Sequence, residues 1–167
     1  MSQGIITAVI AAGISLLGLI ISKEAKISEF RKEWIESLRT DISCFLMHAL
    51  YMKGVADSND TDKVAKLENS NLEINRLVAN VTLRLNPKEQ PHQEIMEALG
   101  GVRDAVITGK PFEVVTDKAT LVTNKTQIVL RQEWQRVKKG ERVYQWTVRS
   151  TLAAFALLVI VLILKSL

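Results

Sequence analysis

The hydrophobic pattern of the chain changes abruptly near each end. Residues 4–22 form a run of 19 positions without a charged side chain, and residues 150–164 form a second run of 15. A helix on the surface of a soluble protein is apolar on one face only, whereas these runs are apolar on all sides. At 1.5 Å per residue the first run is about 28 Å long, close to the hydrocarbon thickness of a bilayer. The pattern therefore predicts two transmembrane helices.

Each run has an alternative interpretation. A cleaved signal peptide needs a positive segment and a small-residue cleavage site, and residues 1–3 and the stretch before Lys23 supply neither. A helix lying in the membrane interface needs a polar face, which residues 151–164 lack. Tyr144 and Trp146 fit an aromatic belt at the membrane interface, and the long side chain of Arg149 is able to extend toward the lipid headgroups. Counted from Trp146, the second run is therefore long enough to span a membrane.

Between the runs, apolar residues recur at spacings of three and four, which predicts helices. The first helix is expected to continue from the membrane as a stalk, and a second begins near Lys63 and ends at Asn86 and Pro87. A short helix at 92–99 is expected to stop at Gly100 and Gly101, before a last long helix from Val114 into the second run. The predicted class is all-α: transmembrane helices at 1–22 and 150–167, joined by a helical bundle with long stalk helices at 23–149.

The second predicted helix carries a coiled-coil-like seam with one polar member. Its positions are Val64, Leu67, Asn71, Ile74, Val78, Val81 and Leu85. A buried Asn71 would cost stability and fix the register or the partner. In a shallow bundle the same residue lies at a wet edge, which is the interpretation we favour.

Charge sets the expected orientation. The chain has 22 Lys and Arg against 18 Asp and Glu. All of these except Lys165 lie between Lys23 and Arg149, with basic residues concentrated beside both runs. By the positive-inside rule, residues 23–149 are cytoplasmic and both termini lie on the periplasmic side of a bacterial inner membrane. The basic segments would attract anionic lipid. Nucleic acid is disfavoured because Lys and Arg beside a span are already expected from the topology.

The search for chemistry in the sequence is negative. The chain contains no P-loop, no G-x-G-x-x-G, no H-E-x-x-H and no paired cysteine motif. Cys44 and His48 are spaced to share a helix face, but zinc needs three or four ligands and His92 is the only other histidine. A Cys44 nucleophile would need an oxyanion hole that nothing in the sequence indicates. We expect no enzyme, no cofactor and no metal site.

The first run carries a face made of small residues. Its members are Thr7, Ala11, Ser15, Gly18 and Ser22. Helices associate in lipid where small residues let backbones approach closely, so this face predicts helix packing in the membrane. The packing partner is either the second span of the same chain or further copies in a homo-oligomer.

The two predicted stalks resemble each other next to the membrane. Both read apolar-Arg-x-Glu-Trp, at 30–34 with Arg31 and Trp34 and at 130–134 with Arg131 and Trp134. Antiparallel stalks would place the two tryptophans at similar depth. We interpret the match as a packing feature and not as an internal repeat.

Residues 23–46, KEAKISEFRKEWIESLRTDISCFL, contain the pattern F-R-x-x-W-I-x-x-L-R-x-D-I. This pattern resembles small bacterial two-span inner-membrane proteins of uncharacterised function, some of them linked to anti-phage defence or prophages. The resemblance implies a membrane effector and supplies no catalytic residue. Two hypotheses follow: an effector that oligomerises and perturbs the membrane, or a non-enzymatic anchor that recruits a cytoplasmic protein partner.

Overall fold

Four α-helices make up the part of the chain that the structure describes. The computed structural model describes residues 3–59 and 61–164, without the side chains at 3, 5, 6, 9, 141, 143, 158, 159, 162 and 163. The helices are α1 (Gln3–Ala56), α2 (Lys63–Arg84), α3 (Gln90–Ile107) and α4 (Phe112–Leu164). Every regular element in this part of the chain is a helix, which confirms the all-α class. Residues 1, 2 and 165–167 of the predicted end segments lie outside the described residues.

The helices divide between two compact units. The central unit is Glu33–Glu133, and the terminal unit combines Met1–Lys32 with Trp134–Leu167. Helices α2 and α3 lie wholly in the central unit, whereas α1 and α4 contribute to both. The division therefore falls inside α1 and α4, on the charged side of the uncharged runs.

The core of the central unit takes one apolar stripe from each of its four helical segments. The stripes are Leu38, Ile42, Phe45 and Ala49 of α1; Ile74, Leu77, Val81 and Leu85 in and just after α2; Ile95, Leu99, Val102 and Val106 of α3; and Val115, Val122 and Val129 of α4. Spacings of three and four, or of seven in α4, place each set on one face of its helix. Phe45 is the largest fully buried side chain, with 0% exposure.

The buried face of α2 differs in part from the predicted seam. Its buried residues are Ser70, Ile74, Leu77 and Val81. Val64, the first predicted position, is 77% exposed, and Val78 is only partly buried. Leu77 and Val78 are adjacent and both apolar, so periodicity alone does not decide which one faces the core. Asn71 is partly buried, and the buried polar residue of this helix is Ser70.

Helix α3 corrects the prediction of a short helix at 92–99. It continues through Gly100 and Gly101 to Ile107. Each glycine costs about 1 kcal/mol relative to alanine in a helix interior, and burial of the apolar residues beyond them outweighs this cost. The helix ends instead at Gly109, where φ is +65°. The N–H of Gly109 donates to Val106 and that of Lys110 to Ala105, which forms a Schellman motif.

The core of the central unit contains one unsatisfied hydroxyl among the described residues. The Oγ1 atom of Thr126 in α4 is buried and makes no hydrogen bond. We expect Thr126→Val to raise the free energy of unfolding by about 1 kcal/mol, because valine keeps the shape and removes the desolvation penalty. Urea unfolding of the full chain in detergent measures this, with exposed Thr120→Val as the control. A loss of stability in Thr126→Val alone would contradict the assignment.

In the terminal unit, α1 and α4 approach closely at Gly13. A Cβ atom built on Gly13 would lie 2.6 Å from Cε2 of Phe155. We expect Gly13→Ala to destabilise this packing by about 1–3 kcal/mol through overpacking, partly offset by better helix propensity. Gly18 is the matched control because nothing lies within 4 Å of its added Cβ. Thermal unfolding of the full chain in detergent compares them, and equal melting temperatures would exclude the close contact.

The terminal unit exposes many large apolar side chains. Those at least half exposed include Ile14, Leu16, Leu19, Leu152, Leu157, Ile160 and Leu164. Contiguous apolar surface of this kind marks a protein or membrane interaction region. Among the described residues, none of the helices has a stretch that is both long and apolar enough to cross a membrane.

Candidate functional site

The small-residue face of α1 is exposed along its whole length. All five members, Thr7, Ala11, Ser15, Gly18 and Ser22, are exposed. The residues of α1 that are buried or partly buried in the terminal unit lie on another face. These are Ile10, Gly13, Leu17, Ile20 and Glu24. At 100° per residue the two faces are centred about 140° apart around the helix.

The two faces of α1 are thus separate, which is relevant to the two partners predicted for the small-residue face: the second span of the same chain and another copy of the chain. The contact between Gly13 and Phe155 shows which face of α1 meets α4 within the terminal unit. The small-residue face takes no part in that contact. Its shallow surface of small side chains therefore remains accessible to a further helix.

The aromatic and basic residues predicted near the membrane are mostly exposed. Trp146 is 74% exposed, and Arg131 and Arg149 are exposed as well. Trp134 is also exposed, and the Nζ atom of Lys138 lies 5.9 Å from its ring centroid, within the range of a cation–π interaction. Tyr144 and Arg31 are partly buried.

Trp34 belongs to a polar junction at one end of the central unit. Its Nε1–H donates to the backbone oxygen of Arg84 at 3.2 Å, which satisfies a carbonyl in the last turn of α2. The Arg84 guanidinium in turn donates to Asp41 Oδ2 at 2.6 Å. Trp34 and Asp41 are seven residues apart, so both lie on one face of α1. Two members of the F-R-x-x-W-I-x-x-L-R-x-D-I pattern thus hold the end of α2 against α1.

We expect Asp41→Asn to destabilise the chain by about 1–3 kcal/mol, because it removes a charge-assisted hydrogen bond from a side chain that is only 13% exposed. Glu36→Gln is the matched control. It breaks an exposed pair with Arg39, and exposed pairs contribute about 0–1 kcal/mol. Urea unfolding of both variants compares them, and equal losses would mean that Asp41 and Arg84 contribute no more than a surface pair.

A second polar group lies where α3 begins. Ligand atoms of Glu89, His92 and Glu133 lie within 4.8 Å of one another, and His92 and Glu133 are both buried. The His92 ring centroid lies 6.1 Å from that of Trp34. Sequence reasoning missed this group because Glu133 is remote in the chain. The Glu-x-x-His spacing of Glu89 and His92 was the available signal, since it places two ligands one helical turn apart.

The hydrogen bonding of His92 decides how this group acts. Its Nδ1 atom accepts a bond from the backbone N–H of Asn86 at 3.0 Å. A neutral imidazole that accepts at Nδ1 carries its proton at Nε2 and is therefore a donor there. Metal ligation at either nitrogen would require loss of the Asn86 bond or of that proton. The geometry favours a hydrogen-bonded histidine that fixes the α2–α3 turn over a metal ligand.

Two carboxylates in the central unit have lowered pKa values. A hydrogen bond from Lys125 at 2.7 Å lowers the pKa of Glu94 and joins α3 to α4. A hydrogen bond from Arg76 lowers the pKa of Glu73 within α2. Both groups stay ionised at a lower pH than an ordinary glutamate, which suits surface pairing and gives neither the character of a general acid.

A groove of about 380 Å³ runs between α1 and α2 in the central unit. It is lined by Met47, His48, Tyr51, Lys66, Asn69, Ser70 and Glu73. Met47 and Tyr51 are both about half exposed. Cys44 and His48, the spaced pair noted in the sequence, are partly buried on α1.

Comparison of the chain with protein-family models, curated proteins and solved structures gives no significant match.

Proposed function

We propose that the chain is a two-span protein of a bacterial inner membrane that acts as an effector. In this proposal copies associate through the small-residue face of α1 and perturb the membrane, under control of the helical central unit. The observation that carries it is the exposure of all five small residues, on a face of α1 that does not pack against α4. Small side chains permit close helix approach in lipid, where packing and not hydrophobic burial drives association.

The apolar surface of the terminal unit supports a membrane environment. Leu19 on α1 and Leu157 on α4 are each more than 60% exposed, within runs that contain no charged residue. In water such surface is costly, at roughly 25 cal/mol per Å² of apolar area. In lipid that cost disappears, so the same side chains become an outward face of a spanning hairpin.

The charge distribution supports the proposed orientation. Basic residues flank both runs on the side of the central unit, with Lys23 and Lys26 after the first run and Arg142 and Arg149 before the second. The positive-inside rule places this side in the cytoplasm. The central unit would then meet cytoplasmic signals.

The resemblance to small two-span bacterial proteins linked to anti-phage defence or prophages suggests a setting in which membrane perturbation is conditional. An effector of this kind needs an inactive state before its trigger arrives. Association through the small face is concentration-dependent and gives a simple route from separate chains to an assembly that breaches the membrane. In this proposal the central unit controls when the chains associate.

A membrane anchor or scaffold is the second candidate. The observation that favours it is the groove between α1 and α2, where the exposed side chains of Met47 and Tyr51 offer apolar contact to a cytoplasmic protein partner. In this function the spans only tether the chain. Association through the small face would then be dispensable.

Inducible expression in a bacterium tests the proposal. Alkaline extraction of isolated membranes determines whether the chain is integral, and a potential-sensitive dye with colony counts determines whether it depolarises and kills. We expect an integral protein whose expression collapses the membrane potential. An integral protein that leaves potential and viability unchanged would contradict the effector and favour the anchor. A chain released by alkali would contradict both.

A further inference from the structure

A second groove lies in the terminal unit, where the charged sequence meets the uncharged runs. Its volume is about 410 Å³. It is lined by Ile20 and Glu24 of α1 and by Arg136, Lys139, Gly140, Tyr144 and Thr147 of α4. From Arg136 to Thr147 the groove follows α4 for about 16 Å, at 1.5 Å per residue. The groove is therefore long enough for different chemical groups to line its two ends.

The groove combines charged side chains with uncharged ones that lie in or next to the two uncharged runs. Arg136 and Lys139 bring two positive charges, Glu24 brings one negative charge, and Tyr144 brings a hydroxyl that is able to donate. Ile20 belongs to the first uncharged run, and Thr147 lies three residues before the second. This order matches an amphiphile with an anionic head and an apolar tail.

We propose that this groove binds the headgroup of an anionic phospholipid. Arg136, Lys139 and the Tyr144 hydroxyl hold the phosphate oxygens, and the glycerol and upper acyl chains lie beside Ile20 and Thr147. Lysine binds phosphate as a point charge. The Arg136 guanidinium has five N–H donors, so it is able to bind a phosphate oxygen while it keeps another partner. The assignment rests on the proposed function, because a lipid reaches the groove only if the terminal unit lies in a bilayer.

A defined site is distinguishable from diffuse attraction between basic residues and an anionic surface. Diffuse attraction decays within a Debye length, so cations nearer the uncharged run contribute more. Arg142 is nearer to residue 150 than Arg136 or Lys139, yet it does not line the groove. Lys138 is adjacent to Lys139 and lies over the Trp134 ring instead. Lys138 and Arg142 therefore form a control pair of equal charge.

The test uses the full chain in phosphatidylcholine nanodiscs that contain a minor fraction of phosphatidylglycerol. Native mass spectrometry counts the phosphatidylglycerol that each protein retains after release into neutral detergent. We expect Arg136→Gln with Lys139→Gln to lower retention about tenfold. Lys138→Gln with Arg142→Gln is expected to retain near the wild-type amount, although it removes the same charge.

A steric variant tests the groove without a change of charge. An added Cβ at Gly140 meets nothing within 4 Å, so Gly140→Leu adds bulk at a lining position of the groove without a clash at its first side-chain atom. We expect it to lower retention as far as the charge variant does. Gln145→Leu makes a comparable change at an exposed position outside the groove and is expected to have no effect. Glu24→Gln removes the opposing carboxylate and is expected to increase retention.

Each contrary result has its own meaning. Equal losses in the two charge variants would show diffuse attraction and overturn the site. Displacement of the retained lipid by millimolar inorganic phosphate, with equal retention of phosphatidylcholine, would assign the groove to free phosphate and overturn the lipid. Failure of the wild-type chain to insert into phosphatidylcholine vesicles in a flotation assay would refute the proposed function itself, separately from the groove.

Discussion

Replacing Ala11 and Ser15 together by leucine is expected to abolish the membrane depolarisation that we propose for the expressed chain. Both residues are exposed on the small-residue face, and leucine at these positions holds an approaching helix away from the α1 backbone. Neither residue lies on the face that meets Phe155, so the packing of α1 on α4 is retained. The expected result is a full membrane potential, measured with a potential-sensitive dye, at wild-type protein levels in the membrane.

The matched control introduces two leucine side chains into α4 instead of α1. Ala153 and Ala156 of α4 are also exposed, and their replacement by leucine leaves the small face of α1 unchanged. We expect this variant to depolarise cells like the wild type. Depolarisation that persists in the Ala11 and Ser15 variant would refute association through α1, and its loss in both variants would show a general sensitivity to bulk in the terminal unit.

Truncation of Phe45 to alanine is expected to cause the largest loss of stability in the central unit. Phe45 has no exposed surface and lies in the core to which all four helices of this unit contribute. Phenylalanine-to-alanine changes in cores cost about 3–5 kcal/mol, from lost burial and from the cavity left behind. A small bundle has only about 5–15 kcal/mol in total, so this change removes much of its stability.

Amide hydrogen exchange across residues 33–133 of the full chain in detergent measures the effect in that unit. We expect exchange of core amides in α1 and α3 to accelerate strongly in Phe45→Ala. Phe112→Ala deletes the same side chain where it is 50% exposed, at the start of α4, and is expected to cost less than 1 kcal/mol. Similar exchange in the two variants would mean that Phe45 is not central to the core.

The helical class and much of the core follow from the spacing of apolar residues. Leu38, Ile42, Phe45 and Ala49 recur at spacings of three and four, and all four are buried on one face of α1, as this pattern predicts for a helix. The start of α2 at Lys63 also agrees with the prediction, since a polar turn precedes it. The local sequence determines both features, so both could be predicted from this one sequence.

Other features depend on contacts between distant segments. Trp34 and Asp41 reach Arg84 across 50 and 43 residues, and no local pattern signals that pairing. The face of α1 that packs on α4 is similarly set by the fit of Gly13 to Phe155. The packed face also includes a small residue, Gly13, so a small side chain alone does not distinguish an internal contact from an external one.

Helix α3 illustrates how a segment with weak intrinsic preference becomes helical. With Gly100 and Gly101 in its middle, an isolated peptide of this sequence would be mostly unfolded in water. Its helicity depends on Ile95, Leu99 and Val102 being covered by the other helices. During folding α3 would therefore gain structure only as the bundle closes around it. In the native protein we expect amide exchange in α3 to accelerate when the packing of its neighbours is disturbed.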